Sequence, residues 1–468
     1  MHARDATHAG RSPSRPVTSC SALASPDVTE RSKRERFLTR PMALALAIYS
    51  VFALTFAHFQ ITGDGLVYFN LLRRYFGEQP DFAFAYQFGS DLWNLPFFLV
   101  GKGLSEIFGA TPNTFHVSFE EISITFATQA AFVLTLYLGW HLLRELDLAA
   151  TPAVLFLTTF GSPLFYYVIF EPALKHAVDT LVMTAAALLI LRVYTRGADR
   201  YALALGALVG VSLNIRYVNA AFFIAVACAF ALHRQRALVL SALTAALVAP
   251  AVFALPALRG ISYYQPSYFP KTAIRHIALG AHPVLAGTSN PLNGFNPLIP
   301  VYMLFTDKRG LFVWTPLTAI AVIGYVLAMR KARDEPRRMF FWTLLAGALT
   351  LLVAHVTWAE WIGAFSFSTR FLTALFPFFL VGIGGLRRYW GARVYPILAI
   401  CVAWSMLLAF VHVVGYDGID AGQTATDMVR VYSRSPDAFQ RKIDRRATER
   451  WRYLWALLHG EDPKHVNG

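Results

Sequence analysis

Residues 41–69 read PMALALAIYSVFALTFAHFQITGDGLVYF. Through position 59 the run is apolar, and about 17 to 25 such residues suffice to cross a bilayer as a helix. A carboxylate, Asp64, follows directly, with Gly63 and Gly65 on either side. Glycine has no Cβ, so it frees the backbone and lets other groups approach closely. The stretch therefore predicts a membrane span that delivers an acid to the far face of the bilayer.

The rest of the chain repeats the apolar theme. Of 468 residues, 56% are hydrophobic and 15% are charged, and mean hydropathy is +0.45. A soluble domain carries nearer a quarter charged residues. Apolar segments stand near 41–59, 121–143, 152–169, 177–194, 202–215, 217–232, 237–256, 311–329, 339–357, 371–386 and 394–415. The expected fold is all-α, a polytopic membrane protein with about eleven transmembrane helices. Within the first long loop, Leu66 to Phe76 and Leu92 to Phe108 predict helices at the membrane surface rather than crossings.

Basic residues fix the expected sidedness. Arg31, Lys33, Arg34 and Arg36 precede the first span, and later short loops hold Arg192, Arg196 and Arg200, then Arg234 and Arg236. The loop after 329 holds Arg330, Lys331, Arg333, Arg337 and Arg338, and the loop after 386 holds Arg387, Arg388 and Arg393. All fall on one side of an eleven-span layout, and the positive-inside rule makes that side cytoplasmic. Loops 60–120, 170–176, 257–310 and 358–370 and the turn near Arg216 then face outward.

Three parts are expected. Residues 1–38, rich in Ser, Pro, Arg and His, form a disordered cytoplasmic tail. Residues 39–415 form the transmembrane body. Residues 416–468 form an extracytoplasmic basic tail, in which Phe439, Ile443, Ala447, Trp451, Leu454, Trp455 and Leu458 recur at helical spacing. That helix either lies on anionic lipid or packs on the protein's own outer loops. The net charge of +14 fits loop bias, and no nucleic-acid module occurs. Cys20, Cys228 and Cys401 make neither a disulfide framework nor a metal-ligand spacing.

Candidate chemistry clusters on the outer face. A carboxylate at Asp64 can act as general base toward a hydroxyl or bind a divalent ion such as Mg2+ or Mn2+. Its other reading is a helix N-cap for the segment starting at Leu66. Glu171 and His176 lie in the turn after Gly161-Ser162-Pro163-Leu164-Phe165-Tyr166-Tyr167 and reach the same face, either flanking a site or meeting water. Lys308, Arg309, Arg370 and Arg216 sit at outer span ends. Cations at this depth suit a phosphate with a lipid tail, or they snorkel to the interface. Tyr263, Tyr264, Tyr268, Phe269, Trp358 and Trp361 offer faces for a sugar or form an ordinary interfacial belt. His276 and His282 carry no metal-ligand spacing.

Together these motifs resemble the GT-C class of polytopic glycosyltransferases, near the bacterial relatives of protein O-mannosyltransferases and lipid A aminoarabinose transferases. The resemblance covers about 41 to 415. It rests on Gly63-Asp64-Gly65 with Tyr68, on Gly161-Ser162-Pro163 through Glu171-Pro172 to His176, on Lys308-Arg309-Gly310-Leu311-Phe312 with Pro316, and on Ser366-Phe367-Ser368-Thr369-Arg370-Phe371. It implies a sugar donor on a polyprenyl phosphate and transfer with inversion to a lipid, glycan or protein acceptor, outside the cytoplasm, in the bacterial inner membrane. Asp64 is then the acid that activates the acceptor or organises a metal. Lys308, Arg309 and Arg370 hold the donor phosphate, with His176, Tyr68 and Trp361 on the substrate side. Many relatives carry two adjacent acids where this chain has Asp64-Gly65, so the resemblance implies a second acid from elsewhere, which Glu171 or Asp91 could supply. Relatives often have glycine where Ser368 stands.

Two other classes use lipid-linked sugar. A transporter or flippase places charge deep in midspan, whereas these charges sit at span ends. An O-antigen polymerase or ligase centres on a large late outer loop, whereas the longest outer loop here is the first and carries the acid.

Overall fold

The computed structural model describes residues 37–59, 61, 64–80, 87–108, 117–261, 297–357, 367–414, 424–434 and 436–459. Trp358, Trp361, His276, His282, the aromatics of 263–269 and the expected tail through residue 36 lie outside the described residues, and Asp64 is described by its backbone. Every regular element among the described residues is a helix.

Four helical stretches are long and apolar enough to cross a membrane: Phe119–Glu145, His176–Arg196, Gln235–Ala257 and Arg370–Val413. Arg40–Phe56, Asn219–His233 and Leu317–Arg330 are shorter apolar helices. Their starts follow ordinary capping chemistry. Thr39, Thr151 and Asp334 each accept a backbone N–H from the first turn, with proline just inside the helix. Ser118 and Glu121 form a reciprocal capping box. The expected surface segments are helices as well, Asp64–Tyr75 and Gly89–Phe108, and the C-terminal tail forms Ala425–Arg434 and Pro436–His459.

Three expected spans are broken rather than continuous. The segment 152–169 splits into Pro152–Phe160 and Leu164–Ile169 around Gly161-Ser162-Pro163. The segment 311–329 splits at Thr315-Pro316, and 371–386 opens as a 3-10 turn, Arg370–Leu375, before Phe376–Trp390. Proline withholds an N–H and clashes with the preceding turn, which favours a break at these positions, whereas Gln235–Ala257 runs on through Pro250 and Pro256. Broken backbone at membrane depth is tolerated where protein surrounds it. Gly161, Ser162, Pro163 and Thr315 are all buried.

The helices gather their loops into two poles. At one, Arg192 meets Glu145 at 2.8 Å, Arg337 meets Asp147 at 2.7 Å, and Arg234 donates to the Tyr194 carbonyl at 3.1 Å. The loops that hold Arg192, Arg234 and Arg337 therefore share a pole. At the other pole lie the start of Asp64–Tyr75, the 170–176 turn, Arg216, Arg309 and Arg370. The chain reverses near Gly391, where φ is 70°, so His412 returns to within 6.2 Å of Phe367.

Glycine sets the tightest helix pair. A Cβ on Gly382 would collide with the Ala321 carbonyl, and one on Gly324 with the Gly382 carbonyl. Tyr325 stacks on Phe378 at 4.0 Å in the same interface. Gly382→Val should therefore cost about 3 kcal/mol, read as a lower thermal unfolding midpoint in detergent. Gly103→Ala, where nothing stands within 4 Å, should leave the midpoint unchanged or slightly raised. Equal midpoints for Gly382→Val and wild type would refute this packing.

Candidate functional site

The site is built around the 170–176 turn. His58 donates its N–H to the Ile169 carbonyl at 3.0 Å, and the Thr128 hydroxyl donates to the Pro172 carbonyl. A Cβ on Gly65 would stand 3.0 Å from the Ala173 Cβ. The glycine after Asp64 thus lets the acid-bearing helix start press against the turn that carries Glu171 and His176. That helix begins at Asp64 itself.

Glu171 accepts a hydrogen bond from the Tyr166 hydroxyl at 3.3 Å. Tyr166 stacks on Phe367 with centroids 5.0 Å apart, and Phe367 meets Trp314 edge to face. Arg309 lies over the Trp314 ring at 5.0 Å and is fully buried, 0% exposed. Its charge bears on Tyr166 as well. Glu171 and Arg309 therefore flank one aromatic cluster, although 138 residues separate them in sequence (309 − 171).

His176 is buried. Its Nδ1 meets Thr373 Oγ1 at 3.1 Å, and its ring stacks obliquely on Tyr167 at 4.4 Å. Tyr167 donates its hydroxyl to the Phe367 carbonyl at 2.9 Å. Arg216, Arg370 and Lys175 lie close enough for their charges to act on the imidazole. Lys175 donates to Gln87 at 3.0 Å and lies over the Tyr68 ring at 5.5 Å.

The two cation-bearing turns are joined directly. Thr369 Oγ1 lies 2.7 Å from the Arg309 carbonyl and 2.9 Å from the Met303 carbonyl. Both turns hold a non-glycine residue in the left-handed region, Arg309 at φ 75° and Ser368 at φ 50°. Such residues cost about 1–3 kcal/mol each and persist only where surroundings hold them, often at functional sites. Arg370 lies over the neighbouring Phe371 ring at 5.2 Å, and Lys308 is half-buried in the same turn as Arg309.

Arg216 has a different occupation from the one its sequence position suggests. Its guanidinium meets Asp179 at 3.1 Å and donates to the Phe371 carbonyl at 3.0 Å, and Asn219 donates to Asp179 at 2.7 Å. Asp179 is missed in the sequence reading, although a lone acid inside the apolar segment 177–194 is the signal that it needs an opposite charge. Thr369 and Thr373 left no sequence signal, because their role depends on partners 60 and 197 positions away.

Asp91 is also at this pole. It is fully buried, and neither carboxylate oxygen has a hydrogen-bond partner among the described residues. Burial pushes its carboxyl well above the usual range, with Asn94 and the Lys175 charge pulling the other way. Among the described residues no group of three or more His, Cys, Asp or Glu side chains is placed to hold a metal ion.

No protein-family model matches the chain, and no curated protein matches it.

The Asp91 shift has a testable sign. The native state holds this proton more tightly than the unfolded chain, whose value is near 3.8. Stability therefore falls as pH rises from the unfolded value through the folded one. Asp91→Asn should raise the unfolding midpoint at pH 7.5, with the gain shrinking toward pH 4. A gain that does not vary with pH would contradict the assignment. Asp179→Asn should cost about 3 kcal/mol, since it leaves Arg216 buried without its charge partner, and an unchanged midpoint would refute that.

Proposed function

We propose that the chain is an inner-membrane glycosyltransferase of the GT-C type, crossing the bilayer about eleven times with its basic pole in the cytoplasm. It transfers a sugar from a polyprenyl phosphate to an acceptor hydroxyl at the outer pole. The observation that carries this reading is the convergence of the Asp64 helix start, the Glu171–His176 turn, and the joined turns of Arg309 and Arg370. Helices stand at every expected span position, which supports the layout.

The chemistry follows from the residue types. The Asp64 carboxylate takes the acceptor's hydroxyl proton as that oxygen attacks the anomeric carbon. The bond from that carbon to the phosphate oxygen breaks on the opposite face, which inverts the configuration. The electron pair leaves with the polyprenyl phosphate, whose charge Lys308, Arg309 and Arg370 stabilise. Arginine suits this task because its planar donors match phosphate oxygens. The leaving phosphate needs no proton, so one base and a cationic clamp suffice. Glu171 supplies a second carboxylate beside the clamp, and Tyr166 orients it.

Asp64→Asn should lower sugar transfer by at least about a thousandfold, comparable with the upper range for a lost general base, while insertion and folding persist. The assay is transfer from envelope lipid extract to acceptor in reconstituted vesicles. Full activity of this variant would remove Asp64 from the mechanism. Arg370→Ala should raise the donor concentration required about tenfold or more, and wild-type donor dependence would count against the clamp. Movement of lipid-linked sugar between leaflets without transfer would favour a flippase.

A further inference from the structure

We propose that Thr369 is a positioning residue, whose hydroxyl locks the two cation-bearing turns into a single phosphate cradle. This rests on the glycosyltransferase reading and adds how its clamp is held.

The turn at 306–309 has four backbone carbonyl groups. Each accepts a hydrogen bond. Thr306 O accepts from the Gly310 N–H at 2.9 Å, Asp307 O from Trp314 Nε1 at 2.8 Å and the Ala425 N–H at 3.0 Å, and Lys308 O from Thr306 Oγ1 at 3.0 Å. Arg309 O accepts from Thr369 Oγ1 at 2.7 Å. An anion site must keep its own carbonyl oxygens occupied elsewhere, because their negative ends repel the ligand. Of these donors, only Thr369 belongs to the turn that carries the second arginine.

Strain makes the link consequential. Arg309 and Ser368 both stand in the left-handed region, where a non-glycine residue relaxes unless it is held. Thr369 lies next to Ser368 and grips the Arg309 carbonyl, so one buried side chain restrains both residues. A hydroxyl has a single proton, and this one is shared between the Arg309 and Met303 carbonyls. Beyond Thr369 the backbone is fixed again, by Arg216 donating to the Phe371 carbonyl and by the Thr180 hydroxyl donating to the Thr373 carbonyl. Thr369 therefore sets the separation of Arg309 and Arg370 without touching the phosphate itself.

The test uses the full chain in lipid nanodiscs, with undecaprenyl phosphate as the probe and undecaprenol as the control for tail binding. Thr369→Val keeps the shape and removes the hydroxyl. It should weaken undecaprenyl phosphate binding about tenfold, the size of one hydrogen bond's positioning effect, and leave undecaprenol binding unchanged. Thr369→Ser restores the donor and should bind within about twofold of wild type. Wild-type phosphate binding by Thr369→Val would overturn the proposal, as would a Thr369→Ser loss equal to that of valine. Thr369→Ala is the second variant if valine prevents folding, with the same loss expected. Arg309→Gln and Arg370→Gln separate the two levels. If they bind undecaprenyl phosphate like wild type, the clamp reading itself fails. If they lose binding while Thr369→Val keeps it, the clamp stands and only the positioning role falls.

Discussion

A charge inside an apolar bundle must find its opposite, and Asp179 finds Arg216. The carboxylate is fully buried and the guanidinium nearly so, with side-chain exposures of 0% and 5%. Breaking such a pair costs about 3–5 kcal/mol, because one ion then stays buried without compensation. The pair also fixes where the chain passes. Asp179 is in the first turn of His176–Arg196, Arg216 lies between two helices, and the same guanidinium grips the Phe371 carbonyl. Three separate stretches are thereby held at one pole, and His176 and Arg370 are carried with them.

The rest of the site grows from that junction by packing and turn chemistry. Gly65 admits the Ala173 methyl and brings the Asp64 helix start against the 170–176 turn. Tyr166, Phe367 and Trp314 form a continuous aromatic wall on which Arg309 rests. The C-terminal helices are part of the same foundation. Asp307 accepts backbone N–H groups of Ala425 and Thr426, and Arg450 and Trp451 hold the end of the first apolar helix through the Ala57 carbonyl and the Thr55 hydroxyl. The basic tail thus touches the end of the first apolar helix, while Trp451 and Trp455 stay exposed.

Apolar runs, capping residues and basic loops made the helices and their two poles legible in the sequence. The breaks were less so, although Gly161-Ser162-Pro163 and Thr315-Pro316 hold the prolines that cause them. Hydropathy sees a continuous apolar segment and is blind to a missing N–H. Candidate residues were found by charge: Glu171, His176, Arg309 and Arg370 share a pole. Charge alone misjudged Arg216, because it reports a cation and not the partner that occupies it. Thr369 stayed hidden for the opposite reason. Thr369 stands in a loop before the segment 371–386, where no periodicity names a partner, and only the tertiary fold sends its hydroxyl across to Arg309.

We propose above all that a lipid-borne phosphate sits between the turns of Arg309 and Arg370. Photo-crosslinking reads this directly, using undecaprenyl phosphate with a diazirine beside the phosphate, followed by peptide mapping of the labelled protein in nanodiscs. Label on peptides spanning 303–314 and 367–373 is the result this account predicts. Label confined to the basic pole, around 196–200 and 234–236, would contradict it.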